Sequence, residues 1–207
     1  MDENRRLLLG ASAAATAALL LSGQANASGR PVAERRTSGD TPPDTELDVP
    51  TLPATPTPGK PGDFDFLHGE WRIRHWRKPS ANAAWDDFEG EATCWSILGG
   101  IGSVEELRIP ARQFSGMGLR LLDVKRQRWS DHWVNANSGV VTAPGLEGSF
   151  ENGIGLFVSR EEEDGKPLLA AGIWDQISRD GCRWRQALSR DDGRTWEHNW
   201  VMHWRRA

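Results

Sequence analysis

The 207-residue chain has no Tyr and only two Cys, and its formal net charge of −4 includes no basic excess. The charge balance argues against bulk attraction to nucleic acid, which needs a basic stripe or patch. Sustained heptads are missing, which excludes a coiled coil. The five His residues (68, 75, 132, 198 and 203) show no His-x-x-x-His spacing, so no metal centre is expected. Neither a Gly-x-Ser-x-Gly nucleophile elbow nor a phosphate loop occurs. Against these absences stand 11 Trp and 22 Gly, a composition that leans towards a β-rich binding scaffold.

Residues 1–27 read as a signal peptide. Arg5 and Arg6 precede Leu7-Leu8-Leu9 and an Ala/Leu-rich stretch, and the small-residue site Ala25-Asn26-Ala27 places cleavage before Ser28. The Arg pair resembles a twin-arginine signal, with a general secretory signal as the alternative. Either implies an exported protein, periplasmic or extracellular. No Cys follows the apolar run until Cys94, which argues against a lipoprotein anchor. The run is short for a retained membrane helix, so no stable insertion is expected after cleavage.

Residues 28–62 hold eight of the 12 Pro and lack Trp, Phe and Cys. They read as a Pro-rich disordered linker that buries little, so truncating them is expected to leave folding intact. The folded domain is then 63–207, which contains all six Phe and all 11 Trp. About ten short alternating segments follow, joined by turn signals and without a convincing amphipathic helix. They predict an antiparallel meander closed into an up-and-down barrel that can enclose one small ligand.

The stretch Phe64-Asp65-Phe66-Leu67-His68-Gly69-Glu70-Trp71 resembles the Gly-x-Trp opening of lipocalins and other calycins. That resemblance implies a Trp plugging the closed end and an Arg from the last strand packed across it; Trp204-Arg205-Arg206 supplies the candidate. With Leu98-Gly99-Gly100-Ile101-Gly102, the Gly-rich stretch 147–155 and the ending Trp184 to Trp204, residues 63–207 also resemble an uncharacterised bacterial family of calycin-like domains. This implies a barrel and brings no activity or catalytic residues. Ser189-Arg190-Asp191-Asp192-Gly193-Arg194-Thr195-Trp196 matches the Asp-box pattern of sialidase-type propellers. A single copy without a 40- to 50-residue period excludes a propeller, so the box is expected to be turn chemistry, with Gly193 at positive φ.

Treating Asp191-Asp192-Gly193 as a three-residue hairpin loop sets Trp184 opposite Trp200, Gln186 opposite His198, Leu188 opposite Trp196 and Cys182 opposite Met202. The Trp-bearing face then points inward. Alternation elsewhere brings His75 and Asp131 inward, with Trp129 and Trp133, together with either Glu105 or Glu106; Asp175 against Gln176 stays open. The expected ligand-binding set is Trp133, Asp131, Trp184, Gln186, Trp196, His198 and Trp200, around a small, largely apolar or aromatic molecule. Alternatives are acid–base chemistry by His198 with Asp131 or His75, haem held through His198, and a purely structural role. Burial is expected to lower the pKa of His198, and a nearby Asp131 to raise it. Cofactor and oligomeric state are unspecified. One disulfide could join Cys94 and Cys182, although a simple meander does not make them neighbours.

Overall fold

The computed structural model describes Pro42, residues 48–51 and residues 56–207; the expected signal peptide lies outside the described residues. Ten antiparallel strands follow in sequence: β1 (Gly69–Arg77), β2 (Asp86–Ile97), β3 (Gly102–Ile109), β4 (Phe114–Asp123), β5 (Arg128–Asn135), β6 (Leu146–Glu151), β7 (Ile154–Glu163), β8 (Lys166–Asp175), β9 (Gly181–Ser189) and β10 (Glu197–Arg206). Each pairs with its neighbours in the chain, and β1 also pairs with β10, closing the barrel. Closure leaves no edge strand, as the meander predicts. The helical elements among the described residues are three short 3₁₀ turns.

Strand register carries the inward orientation round the sheet. Trp71 pairs with Ala92, Ala92 with Leu107, Leu107 with Gly116, and Gly116 with Asn135. Trp71, Ile73 and His75 of β1 are buried while the intervening Arg72 and Arg74 are exposed, the two-residue period of a strand with one face on the core. Gly at inward positions makes room for rings. A Cβ on Gly116 would lie 2.2 Å from Cζ2 of Trp133.

A 3₁₀ turn at Asp65–Leu67 plugs one end of the barrel. Phe64 meets Trp129 edge-on at 4.9 Å and Phe150 at 5.0 Å, and Trp71 Nε1 donates to the Leu67 carbonyl at 2.6 Å. Each such ring pair adds about 0.5–1.5 kcal/mol beyond its buried area. The guanidinium of Arg206 lies 4.0 Å above the Trp71 ring and donates to the carbonyls of Phe66 and His68. The Arg that the Gly-x-Trp opening leads one to expect is therefore present.

Two expectations need correction. Part of the 28–62 segment packs on the barrel. Gly59 N donates to Gln127 O and Gly62 N to Gly100 O, each at 2.9 Å, while Arg128 donates to the carbonyls of Pro56 and Thr57. Val49 packs on the outer face over Ala171, Ile173 and Ala187. With Trp196 on the same cluster, β8 is buried on both faces, which explains its nearly continuous apolar run.

The β9–β10 register is also different. Residues 190–196 all lie between the strands, so the loop is longer than three residues. The Asp box itself organises it. Ser189 Oγ accepts from Gly193 N at 2.8 Å, and Asp191 Oδ1 accepts from Thr195 N at 2.9 Å. Gly193 takes φ +86°, so the box is turn chemistry. The longer loop moves the pairing on by two residues: Trp184 faces Met202, Gln186 faces Trp200 and Cys182 faces Trp204. A bulge then intervenes, because His198 pairs with Ala187 while Trp200 pairs with Gln186. Asn199 is the extra residue, and an extra residue reverses the face of what precedes it.

Candidate functional site

The lumen floor sits directly above the plug. Arg120 of β4 points inward between Glu105 of β3 and Asp131 of β5. Its Nη2 donates to Glu105 Oε2 at 2.5 Å, and its Nε stands 3.5 Å from Asp131 Oδ1. The guanidinium carbon lies 5.3 Å from the Phe64 ring and 5.2 Å from the Trp174 ring. Burial alone would lower the Arg120 pKa, but Asp131 and Glu105 outweigh it and hold the guanidinium protonated. Burial pushes the carboxyls of Glu105 and Asp131 upward, against the opposing pull of Arg120. Two carboxylates thus share one cation in a poorly hydrated space, where each unmet interaction is costly.

Above the floor the wall is aromatic. Trp184 meets Trp200 edge-on at 5.8 Å, and Trp174 lies tilted against it at 6.5 Å. His75 stacks on Phe88 at 4.6 Å, and its Nδ1 accepts from Trp200 Nε1 at 3.2 Å. That bond fixes the proton of a neutral ring on Nε2. Burial first, and the Arg112 guanidinium second, pull the His75 pKa down to about 3. Inward-facing Trp133, Leu146 and Trp184 are partly buried and pack against the core cluster, and 19% of the Asp131 side chain remains exposed.

Of the residues expected to line the lumen, Trp133, Asp131, Trp184, Gln186, Trp200 and His75 face inward. Glu105 rather than Glu106 is the inward acid, and Arg120, which alternation did not single out, joins it. Its sequence signal is slight: an Arg among Leu residues, placed two after Gly118. Trp196 and His198 are outside. Trp196 packs on the outer cluster with Ala187, and His198 Nε2 lies 3.0 Å from Arg185 Nη1. Asp175, left open by the sequence, also faces outward and accepts from both Arg183 (2.7 Å) and Arg185 (2.8 Å). Arg185 Nη1 further donates to the backbone carbonyl of Asp48 at 3.1 Å.

The bulge therefore removes the geometry in which His198 meets Gln186. Lumenal acid–base chemistry by His198 and haem ligation through it both lose their structural basis, since the ring nitrogen facing Arg185 must act as an acceptor. The lowered His198 pKa does hold, at about 4, from burial and then from Arg185 and Arg183. Cys94 and Cys182 are both buried and free, and burial raises both thiols. No group of three or more His, Cys, Asp or Glu placed to hold a metal occurs among the described residues.

Fold and site together define a closed ten-strand antiparallel barrel with an aromatic lumen and a buried ionic floor. No family model and no curated protein matches the chain. Among solved structures, a protein of unknown function from the DUF3598 family of Nostoc punctiforme PCC 73102 is similar, at 13% identity and a TM-score of 0.39. The match covers 75% of this chain and 53% of that one, so the chain spans about half of that protein's length.

Proposed function

We propose that this protein binds a small, largely apolar or aromatic molecule in the barrel lumen. One observation carries the reading: Trp133, Trp184 and Asp131, which the register turns inward, are only partly buried within a barrel whose strand pairing is closed all the way round. Concave, mostly apolar space with a few convergent polar groups is the usual form of a ligand site. The Gly-x-Trp opening and its crossing Arg206 support a calycin-like assignment, and the Arg5-Arg6 run with Ala25-Asn26-Ala27 supports export.

The test is native mass spectrometry of the protein purified from its own host, paired with Trp fluorescence of the emptied protein on adding the released compound. A retained small molecule that quenches Trp emission at one-to-one stoichiometry is the expected result. A protein that leaves its host with nothing bound, and whose emission no aromatic compound alters, would overturn the reading.

A further inference from the structure

The floor of the lumen leaves donors of Arg120 without a hydrogen-bond partner and Asp131 without a close one. Of the three Arg120 nitrogens only Nη2 makes a hydrogen bond, to Glu105; Nε stands 3.5 Å from Asp131 and is, like Nη1, buried without a hydrogen-bond partner among the described residues. The side chain as a whole is only 5% exposed. A buried guanidinium N–H left unpaired is rare and costly. Asp131, which the register turns inward, reaches Arg120 only at 3.5 Å, beyond a good hydrogen bond, and its side chain is 19% exposed.

We propose that the lumenal ligand presents a neutral polar edge that donates to Asp131 and accepts from Arg120, on a planar aromatic body held by Trp133 and Trp184. The inference rests on the lumenal-binding reading above and narrows it to a chemical class: uncharged aromatics that carry an N–H or O–H together with a carbonyl-type acceptor. Charge arithmetic excludes the obvious rivals. Glu105 and Asp131 already share a single guanidinium, so the carboxylate of an aromatic acid would be a third anion on one cation. An aromatic ammonium would neutralise Asp131 but offers nothing to Nη1, which would stay buried and unpaired. A bare hydrocarbon satisfies neither group. A neutral donor–acceptor edge satisfies both without adding charge, and discrimination of this kind is strong because the protein's own buried groups are orphaned by the wrong ligand.

The experiment compares four bicyclic probes by Trp quenching and calorimetry on the full chain: 2-quinolinone, naphthalene, 1-naphthoate and 1-naphthylmethylammonium. The lactam should bind at least tenfold more tightly than each of the other three. In Asp131→Leu the ratio of lactam to naphthalene affinity should fall at least fivefold, with cooperative thermal melting as the control for folding. Asp131→Asn, which keeps size and polarity but reverses one hydrogen-bonding end, supplies the same readout if the Leu variant does not fold. Equal binding of all four probes, or a preference for the acid or the ammonium, would overturn the inference while leaving lumenal binding in place. A ratio unchanged in both Asp131 variants would also overturn it. Binding of none of the four would refute the lumenal reading itself, and the inference with it.

Discussion

His75 makes the barrel acid-sensitive by a calculable amount. Its ring is fully buried against Phe88, accepts a hydrogen bond from Trp200 and titrates at about 3 in the folded protein. In the unfolded chain it titrates near 6.5. A depressed folded-state value means that the stabilisation is complete above pH 6.5 and drains away as pH falls towards 3. At pH 5, about 1.5 units below the unfolded pKa at ~1.4 kcal/mol per unit, the loss is about 2 kcal/mol. The raised carboxyls of Glu105 and Asp131 act in the opposite sense, favouring the fold as pH falls. Comparison with His75→Gln cancels that contribution, because both proteins keep the two carboxyls. Gln has no ionisation here, and its side-chain carbonyl can still accept from Trp200. Urea unfolding followed by Trp emission at pH 7.5, 6.5, 5.5 and 5.0 gives the two stability curves. They should converge by about 2 kcal/mol between pH 7.5 and pH 5. Parallel curves would refute the reasoning, since they require a His75 that titrates alike in folded and unfolded protein and is therefore not buried.

Arg120→Met should cost about 3–5 kcal/mol in urea unfolding, because it leaves Glu105 and Asp131 buried without their cation; a loss below 1 kcal/mol would mean that the floor is solvated. Deleting residues 28–62 should lower the thermal midpoint, since it removes the backbone bonds of Gly59 and Gly62 and the carbonyls that Arg128 engages. Gly59→Val should do so more locally, by about 1–3 kcal/mol, because its Cβ would lie 2.7 Å from Cδ1 of Trp129; an unchanged midpoint in both would place the segment outside the fold. Asp191→Ala should lower the midpoint as well, by releasing Thr195 and Ser189 from the Asp-box loop. NMR titration of His198 should give a midpoint near 4, and a value near 6.5 would detach it from Arg185 and Arg183.

Most of the barrel was legible in the residues because each strand spells its own period. Every segment read as a strand overlaps an observed one, and inward alternation places Trp71, Ile73, His75, Trp129, Asp131 and Trp133 where the register puts them. The failures share one cause. Alternation propagates a face assignment only while no residue is inserted, and a loop length taken from turn residues alone is the weak joint. Ser189 and Asp191 close the Asp-box loop through side chains, so Asp192-Gly193 looks like a tight hairpin although the ladder restarts only at Glu197. The bulge at Asn199 has no sequence signature at all. The packed part of the linker was hidden for a different reason: its attachment runs largely through backbone groups and one Val, which composition does not register.

That bulge decides what the lumen can do. With a continuous ladder, His198 would stand between Trp200 and the mouth on the lumenal face, adding a titratable base to the aromatic wall. With Asn199 inserted, the ring turns to the outer face, where Arg185 already spends Nε and Nη2 on Asp175 and divides Nη1 between His198 and the Asp48 carbonyl. A protonated imidazole cannot accept from Arg185, so the outer cluster is coherent only with a neutral ring. Inside, His75 is kept neutral by the same burial that makes its stacking favourable. The charge left in the lumen is therefore concentrated at the floor, on Glu105, Arg120 and Asp131, with Arg77 and Arg112 set towards the mouth beside Asp86. On the proposed reading, a ligand entering past Trp200 and Trp184 would meet apolar rings first and ionic hydrogen-bonding groups last. That order would set its orientation, since the polar end of such a guest would gain its partners only at the bottom, while the aromatic walls would accept the rest of it without regard to detail.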